Sequence, residues 1–354
     1  MKYNDKWGEF YRRKTSYKSI INTDSQVCYC MSGRTGMDLI IKDILAKKPT
    51  AKTIAVPMYC SHSMLEPIFL NNMSVTFYSI TFSEKENKIV VSYNEEKSCD
   101  CLLIMDYFGF ITSEVNEIVK KERIRGTTII IDTTQCFLCD MDYDEMADYT
   151  LTSYRKWFAA STARVFSKEG FSIDGNGEIN NTYEAMREEA FYLLGKSCLD
   201  DKKRGGQLLS KSEEMLERDY SMKFSSPREI GYVKAFDYVD MKKKRKNNAK
   251  FLIGEIQRYY PLLIPLFPEV KETDCPLCVP LLVNFDRYKL MDWLISQGFD
   301  CTYYWKISDL HPAECKNSIL YKNELSLACD QRIEESELLR LSSCLKVFFI
   351  NDMK

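Results

Sequence analysis

Asp148-Tyr-Thr-Leu-Thr-Ser-Tyr-Arg-Lys-Trp-Phe-Ala159 places a lysine, Lys156, just past a short apolar strand. Upstream, Thr127-Thr-Ile-Ile-Ile-Asp132 ends a second strand on a carboxylate, and Gln135 follows three residues later. Nearer the start, Ser32-Gly33-Arg34-Thr35 reads as a glycine-containing entry to an amphipathic helix over 35–47. Between these pieces, apolar runs at 52–56, 75–80, 88–92 and 101–105 predict strands, and 63–70 and 113–121 predict helices. Alternation of this kind predicts an α/β fold with a mostly parallel central sheet covered on both faces. Binding groups then gather at the carboxyl ends of the strands. Gly33, Tyr59, the segment 106–109, Asp132 and Lys156 all fall at such ends.

A chain of 354 residues has room for a large and a small domain. The expected division is a large ligand-binding domain over 1–240, with a charged helical connection from about 182, and a small α/β domain over 241–354. Within the latter, 279–283 reads as a strand and 287–297 and 335–345 as helices. A formal charge of -2 gives no electrostatic case for nucleic acid. The basic run Lys242-Lys-Lys-Arg-Lys246 reads as the solvated face of a helix. No apolar stretch approaches the length of a membrane span, and the N-terminal MKYNDKWGEFYRRK lacks the apolar segment of a signal peptide, so a cytoplasmic location is expected. The 14 cysteines fit a reducing compartment. Cys136/Cys139 and Cys275/Cys278 have ligand-like spacing, but without knuckle glycines they read as buried thiols and no metal is expected. Only His62 and His311 are present, too few for histidine-based metal centres or triads. The segment 174–177, Asp-Gly-Asn-Gly, reads as a turn.

A buried carboxylate, a lysine on a neighbouring strand and a glycine-led helix start would suit an aromatic cofactor with a basic ring nitrogen, an aldehyde and a phosphate, which describes pyridoxal 5'-phosphate. Asp132 would hold the proton on the pyridine nitrogen, or else is a solvated aspartate at a strand terminus. Lys156 would attach the cofactor and move the proton at the substrate α-carbon, or else is a surface lysine beside Arg155. Gly33, Arg34 and Thr35 would meet the phosphate at a helix N-terminus, with Ser153 adding a hydroxyl and Arg155 a longer-range charge. The same glycine would also serve an ordinary turn. Tyr59 lies either against the cofactor ring or within the large-domain core. Gln135 would bond the phenolic oxygen or line the other face of the ring.

At these residues the chain resembles the DegT-like sugar aminotransferases, a branch of the fold type I pyridoxal-phosphate enzymes. The resemblance spans nearly the whole chain: SGRTGMDLIIKDI at 32–44, VPMYCSHSMLEPI at 56–68, MDYFG at 105–109, IIIDTTQ at 129–135, SYRKW at 153–157, RKNNAKFL at 245–252 and LSLACDQR at 325–332. It implies that Lys156 is the cofactor lysine, Asp132 the ring-nitrogen carboxylate, and Gln135 a polar neighbour of the ring. It also implies that Asn248 reaches the phosphate of a neighbouring subunit, hence a homodimer with shared active sites. Arg332 becomes a candidate for the donor carboxylate. The implied activity moves an amino group from an amino acid, glutamate by analogy, to a keto substrate such as a nucleotide-linked keto-sugar. A lyase or decarboxylase using the same cofactor, and a non-catalytic binding subunit, are the other readings. Lys156 argues against the family's dehydratase offshoot, which replaces that lysine. One departure stands out: family members follow the lysine with a loop of paired glycines, whereas this chain has FAASTARVF at 158–166.

Overall fold

Short runs of β-branched and aromatic residues build ten strands of one sheet, seen in a computed structural model that describes residues 10, 12, 18–94, 98–173 and 177–351. They are β1 (Val27–Cys30), β2 (Thr53–Pro57), β3 (Ser74–Ser83), β4 (Lys88–Ser92), β5 (Cys101–Ile104), β6 (Thr128–Asp132), β7 (Tyr149–Ser153), β8 (Ala163–Ser167), β9 (Glu178–Ile179) and β10 (Lys223–Phe224). Their order is β4-β3-β2-β5-β6-β7-β8-β1-β10-β9. Strands β3, β2, β5, β6 and β7 are parallel. Strand β8 runs against both β7 and β1, so β1 points with the parallel set. The carboxyl ends of β1, β2, β5, β6 and β7 therefore share one edge. The central strands are buried throughout, Ile129, Ile130 and Ile131 completely, as expected of a sheet covered on both faces.

A second sheet contains β11 (Leu263–Pro265), β12 (Cys278–Val283), β13 (Cys301–Thr302) and β14 (Glu324–Ala328), in the order β11-β12-β14-β13 and wholly antiparallel. The helices Tyr238–Gln257, Arg287–Ser296 and Glu335–Asn351 accompany it. One apolar cluster runs continuously from the large sheet into the small one. The turn after β5 joins them: Cys275 N–H donates to Gly109 O at 3.0 Å and Leu277 N–H to Phe108 O at 2.8 Å. Gly109 has φ +88°, and a Cβ there would sit 2.0 Å from the Cys275 carbonyl oxygen.

The periodic helices and the parallel strands lie within a few residues of their predicted bounds. Strands β1, β8, β9, β10, β11, β13 and β14 had not been anticipated. Of these, β9, β10, β11 and β13 have only two or three residues, too short for a period to stand out, and their pairing in the folded chain fixes them. The charged stretch beyond 182 is helical over Asn181–Leu194, Leu199–Arg218, Pro227–Lys234 and Tyr238–Gln257, but β10 interrupts it to rejoin the large sheet beside Cys30. The basic run also departs from expectation. Lys242, Lys244 and Lys246 pair with surface acids, whereas Arg245 in their midst is fully buried. The predicted turn at 174–177 falls largely on 174–176, outside the described residues.

Candidate active site

A cavity of about 130 Å³ lies at the shared edge of the strand ends. The main chain delivers its floor in three steps: the helix start after β1 brings Gly33 and Arg34, the turn after β6 brings Asp132 and Gln135, and β7 brings Ser153 and Lys156. Lys156 ends a single 3-10 turn, Tyr154–Lys156, and is exposed into this space while its neighbours Tyr154 and Trp157 are buried. Its Nζ stands 5.9 Å from the centre of the Tyr304 ring.

Thr134, absent from the sequence-based site, organises the floor. Its backbone N–H donates to Asp132 Oδ1 at 2.7 Å, its hydroxyl accepts from Ser153 N–H at 3.0 Å, and its carbonyl accepts from Trp157 Nε1 at 2.6 Å. The carboxylate, the serine and the turn carrying Lys156 are thereby tied to one residue. Asp132 is 5 % exposed. Burial pushes its carboxyl above the ordinary range, while the Thr134 donors and the Lys156 charge pull the other way. A cationic group bound beside it would complete this balance. Gln135, also buried, accepts from Phe108 N–H through Oε1 at 2.7 Å and faces the same cavity.

At the helix N-terminus, a Cβ on Gly33 would come within 3.2 Å of Ser153 Cβ, so glycine lets this backbone approach β7 closely. Arg34 pairs with Glu66 at 3.1 Å and its guanidinium lies 5.5 Å from the centre of the Tyr220 ring. The cavity thus offers an anion a helix N-terminus, a guanidinium and the nearby hydroxyls of Ser61, Ser63 and Ser153. Arg155 adds a second cation, held by both Glu213 oxygens at 2.8 and 3.0 Å. Glu213 also binds Arg187 at 2.8 Å, so the helix Leu199–Arg218 steadies the residue next to Lys156.

Three of the expected positions, Thr35, Tyr59 and Asn248, do not line this cavity. Thr35 does not reach the cavity: its N–H donates to the Ser32 hydroxyl at 3.1 Å and its Oγ1 meets the same oxygen at 3.0 Å, so both serve the helix cap. Tyr59 is fully buried behind the cavity, edge-on to Trp305 and Tyr321 at 5.0 Å each. The aromatic residues that line the cavity are Tyr304 and Trp305, from the loop after β13. Asn248 is also buried, and its amide donates to the carbonyls of Cys329, Asp330 and Ile333 at 3.4, 3.1 and 3.1 Å. It braces the turn after β14 within its own chain.

The glycine-poor segment after Lys156 packs into the interior. Phe158 stacks on Phe236 with ring centres 4.1 Å apart, and Ser161 N–H donates to Glu229 Oε2 at 3.0 Å. Its alanines and serine are buried, Ala159 in one apolar cluster with Ala190, Phe191 and Leu194, and none lines the cavity. Cys136, Cys139, Cys275 and Cys278 are buried thiols, and burial pushes Cys275 up to about 12. Among the described residues, no group of three or more metal-binding side chains comes together, and no helix is long and apolar enough to cross a membrane.

A second cavity, about 230 Å³, adjoins the first across Arg155, Lys156 and Tyr304. Its far wall includes Arg245, Asp300, Asp330 and Arg332, with Arg332 paired to Asp330 at 2.8 Å. Arg245 donates to Leu277 O at 2.8 Å and Gln331 Oε1 at 2.9 Å, linking the small sheet to the turn that bears Lys156 through a further bond to Trp157 O at 3.3 Å.

No protein-family model matches the chain, and no curated protein matches it in sequence. Solved structures do match it. The aminotransferase TlmJ from Streptoalloteichus hindustanus superposes with a TM-score of 0.66 at 12 % identity, over 93 % of this chain and 87 % of that one. PseC of Helicobacter pylori, an aminotransferase involved in the biosynthesis of pseudoaminic acid, gives 0.64 at 11 % identity, over 97 % of this chain and 99 % of its own. A GDP-4-keto-6-deoxy-D-mannose-3-dehydratase from E. coli, solved with bound hydrated pyridoxal phosphate, gives 0.62 at 14 % identity over 90 % and 87 %. The chain therefore shares the overall fold of these solved structures, with the cavity at the carboxyl ends of its parallel strands.

Proposed function

We propose that this protein is a pyridoxal-phosphate-dependent aminotransferase that moves an amino group from an amino acid to a keto substrate, with a nucleotide-linked keto-sugar as the favoured acceptor. The observation that carries the reading is the convergence of Asp132 and Lys156 on one cavity whose other end is a helix N-terminus beside Gly33 and Arg34. The residues fit the cofactor: a buried carboxylate raised by desolvation is suited to a pyridinium proton, and the helix start with its hydroxyls is suited to a phosphate. When bound, pyridoxal phosphate supplies an electron sink for the substrate α-carbon. Lys156 moves the proton at that carbon. Asp132 would hold the ring-nitrogen proton, with Thr134 fixing the carboxylate's orientation, and Gln135 would bond the phenolic oxygen or line the ring's other face.

Lys156 lies where the two cavities meet, so the larger one is read as the space for donor and acceptor. Two of the similar structures are named for pseudoaminic acid biosynthesis and for a GDP-linked keto-deoxymannose, which supports the acceptor class. Lys156 favours transamination over dehydration. Glutamate is the donor by analogy. We read 1–240 as the cofactor-binding domain and 241–354 as the small domain, the assembly as a homodimer and the location as cytoplasmic. The first test is the visible absorption of purified protein given pyridoxal phosphate. A band that disappears with glutamate and returns with a 2-oxo acid is expected. A protein that develops no band overturns the reading, and a band indifferent to every amino donor removes transamination.

A further inference from the structure

The aromatic wall of the first cavity comes from the small sheet, and it is clamped from outside the cavity. Tyr304 and Trp305 line the space. The Tyr304 ring lies edge-on to Phe108 at 5.7 Å, and Trp305 lies edge-on to Tyr59 at 5.0 Å and to Tyr107 at 6.4 Å. Two side chains grip the Tyr304 backbone. Its N–H donates to Glu324 Oε2 at 2.6 Å, and its carbonyl accepts from the Tyr59 hydroxyl. Glu324 is wholly buried on β14, and its other oxygen accepts from Ser326 Oγ at 2.6 Å. Arg287 donates to the Glu324 carbonyl at 2.9 Å, which fixes that strand position in turn. Neither Glu324 nor Tyr59 lines the cavity.

A carboxyl group buried without hydrogen bonds is costly, and here both oxygens are engaged. One of those bonds goes to the peptide unit that carries the wall. A loop residue whose N–H and C=O are both tied to buried side chains has little freedom, so the rings on it are held before any ligand arrives. We propose that Glu324 and Tyr59 are positioning residues that clamp the Tyr304 backbone, so that Tyr304 and Trp305 form the preset aromatic face against which a planar cofactor ring packs. The cofactor part of this rests on the pyridoxal-phosphate reading; the clamp does not.

The test uses Tyr59→Phe, which removes only a hydroxyl, and Glu324→Gln, which keeps the size but leaves one acceptor oxygen for two donors. Tyr78→Phe is the control, because that tyrosine is also buried and its hydroxyl donates to Leu103 O at 2.9 Å and not to the Tyr304 backbone. The ligand-free readout is amide hydrogen exchange in a peptide containing Tyr304. Exchange about tenfold faster is expected in both clamp variants, with peptides of β6 and the Tyr78→Phe protein unchanged. The second readout is the dissociation constant for pyridoxal phosphate, expected to rise about tenfold in the clamp variants only. Unchanged exchange in Tyr59→Phe overturns the clamp, even if Glu324→Gln fails to fold. Faster exchange with unaltered affinity overturns the assignment of the ring face. If the wild type takes up no cofactor, the function reading and the ring face fail together, while the exchange data still decide the clamp.

Discussion

The two walls of the cavity were made in different ways. One consists of strand ends: Asp132 closes β6, Ser153 closes β7, and Lys156 follows within a single turn. Each position is fixed by the register of a buried parallel sheet, where a slip of one residue would turn the whole strand over. The other wall consists of Tyr304 and Trp305 on a loop beyond the two-residue strand β13, placed by Glu324 and Tyr59. The first wall brings charge and proton-handling groups; the second brings aromatic surface. Strand register, with Thr134 tying the strand ends together, places the groups that meet a reacting atom, whereas the packing surface is placed by side chains from two distant elements.

The largest contrast should come from Lys156→Ala, which on our reading removes the visible cofactor band and lowers transamination by about 10³-fold or more. A thermal transition close to wild type would show that the strand-end wall survives the loss. Next is Gly109→Ala at the junction of the two walls. The added Cβ meets the Cys275 carbonyl oxygen at 2.0 Å with φ at +88°, so a stability loss of about 3 kcal/mol or more is expected in urea unfolding. Asp132→Asn should lower turnover by about 10²-fold. Because the native carboxyl is raised by burial, the same substitution should leave the cofactor-free protein at least as stable as wild type. A marked destabilisation would mean that Asp132 is structural first.

A smaller and pH-dependent effect distinguishes the second wall. Burial raises the Glu324 carboxyl from its ordinary 4.5 to about 8, with Arg287, Tyr59, Tyr304 and Cys278 as the ionisable groups around it. The folded state holds this proton more tightly than the unfolded chain. The resulting stabilisation is therefore fully present below about pH 4.5 and is lost as pH rises through about 8. Glu324→Gln should flatten the pH dependence of unfolding free energy by at most about 1.4 kcal/mol per pH unit in that window. An unchanged slope would remove Glu324 as a titrating member of the wall. The smallest effect belongs to Gly33→Ala. Its Cβ comes 3.2 Å from Ser153 Cβ, so a slight shift of Ser153 and a loss of cofactor affinity below about tenfold are expected in a binding titration.

The parallel strands and their long helices were legible because burial on two faces writes continuous apolar runs, and amphipathic helices write a 3.6-residue period. Together with the family resemblance, that was enough to single out Gly33, Arg34, Asp132, Gln135, Ser153 and Lys156, which line one cavity. Thr134 was missed although it stands inside the same segment, because its contribution lies in backbone groups and a hydroxyl shared among neighbours. For Tyr59 the sequence leaves open the cofactor ring and the core; its ring turns inward and supports Trp305. Asn248 carries an amide whose partners, the carbonyls after β14, are some eighty residues away.

By itself, then, the sequence determined the parallel sheet and the edge where its strands end, because both follow from local periodicity and strand polarity; the family resemblance, not periodicity, singled out Asp132 and Lys156 at that edge. Tertiary structure alone decided the aromatic wall, the fully buried Arg245 within a basic run, and the packing of the glycine-poor segment. Those features depend on contacts between residues tens to hundreds of positions apart, such as Tyr59 with Tyr304 and Arg245 with Trp157. No local pattern encodes such pairs.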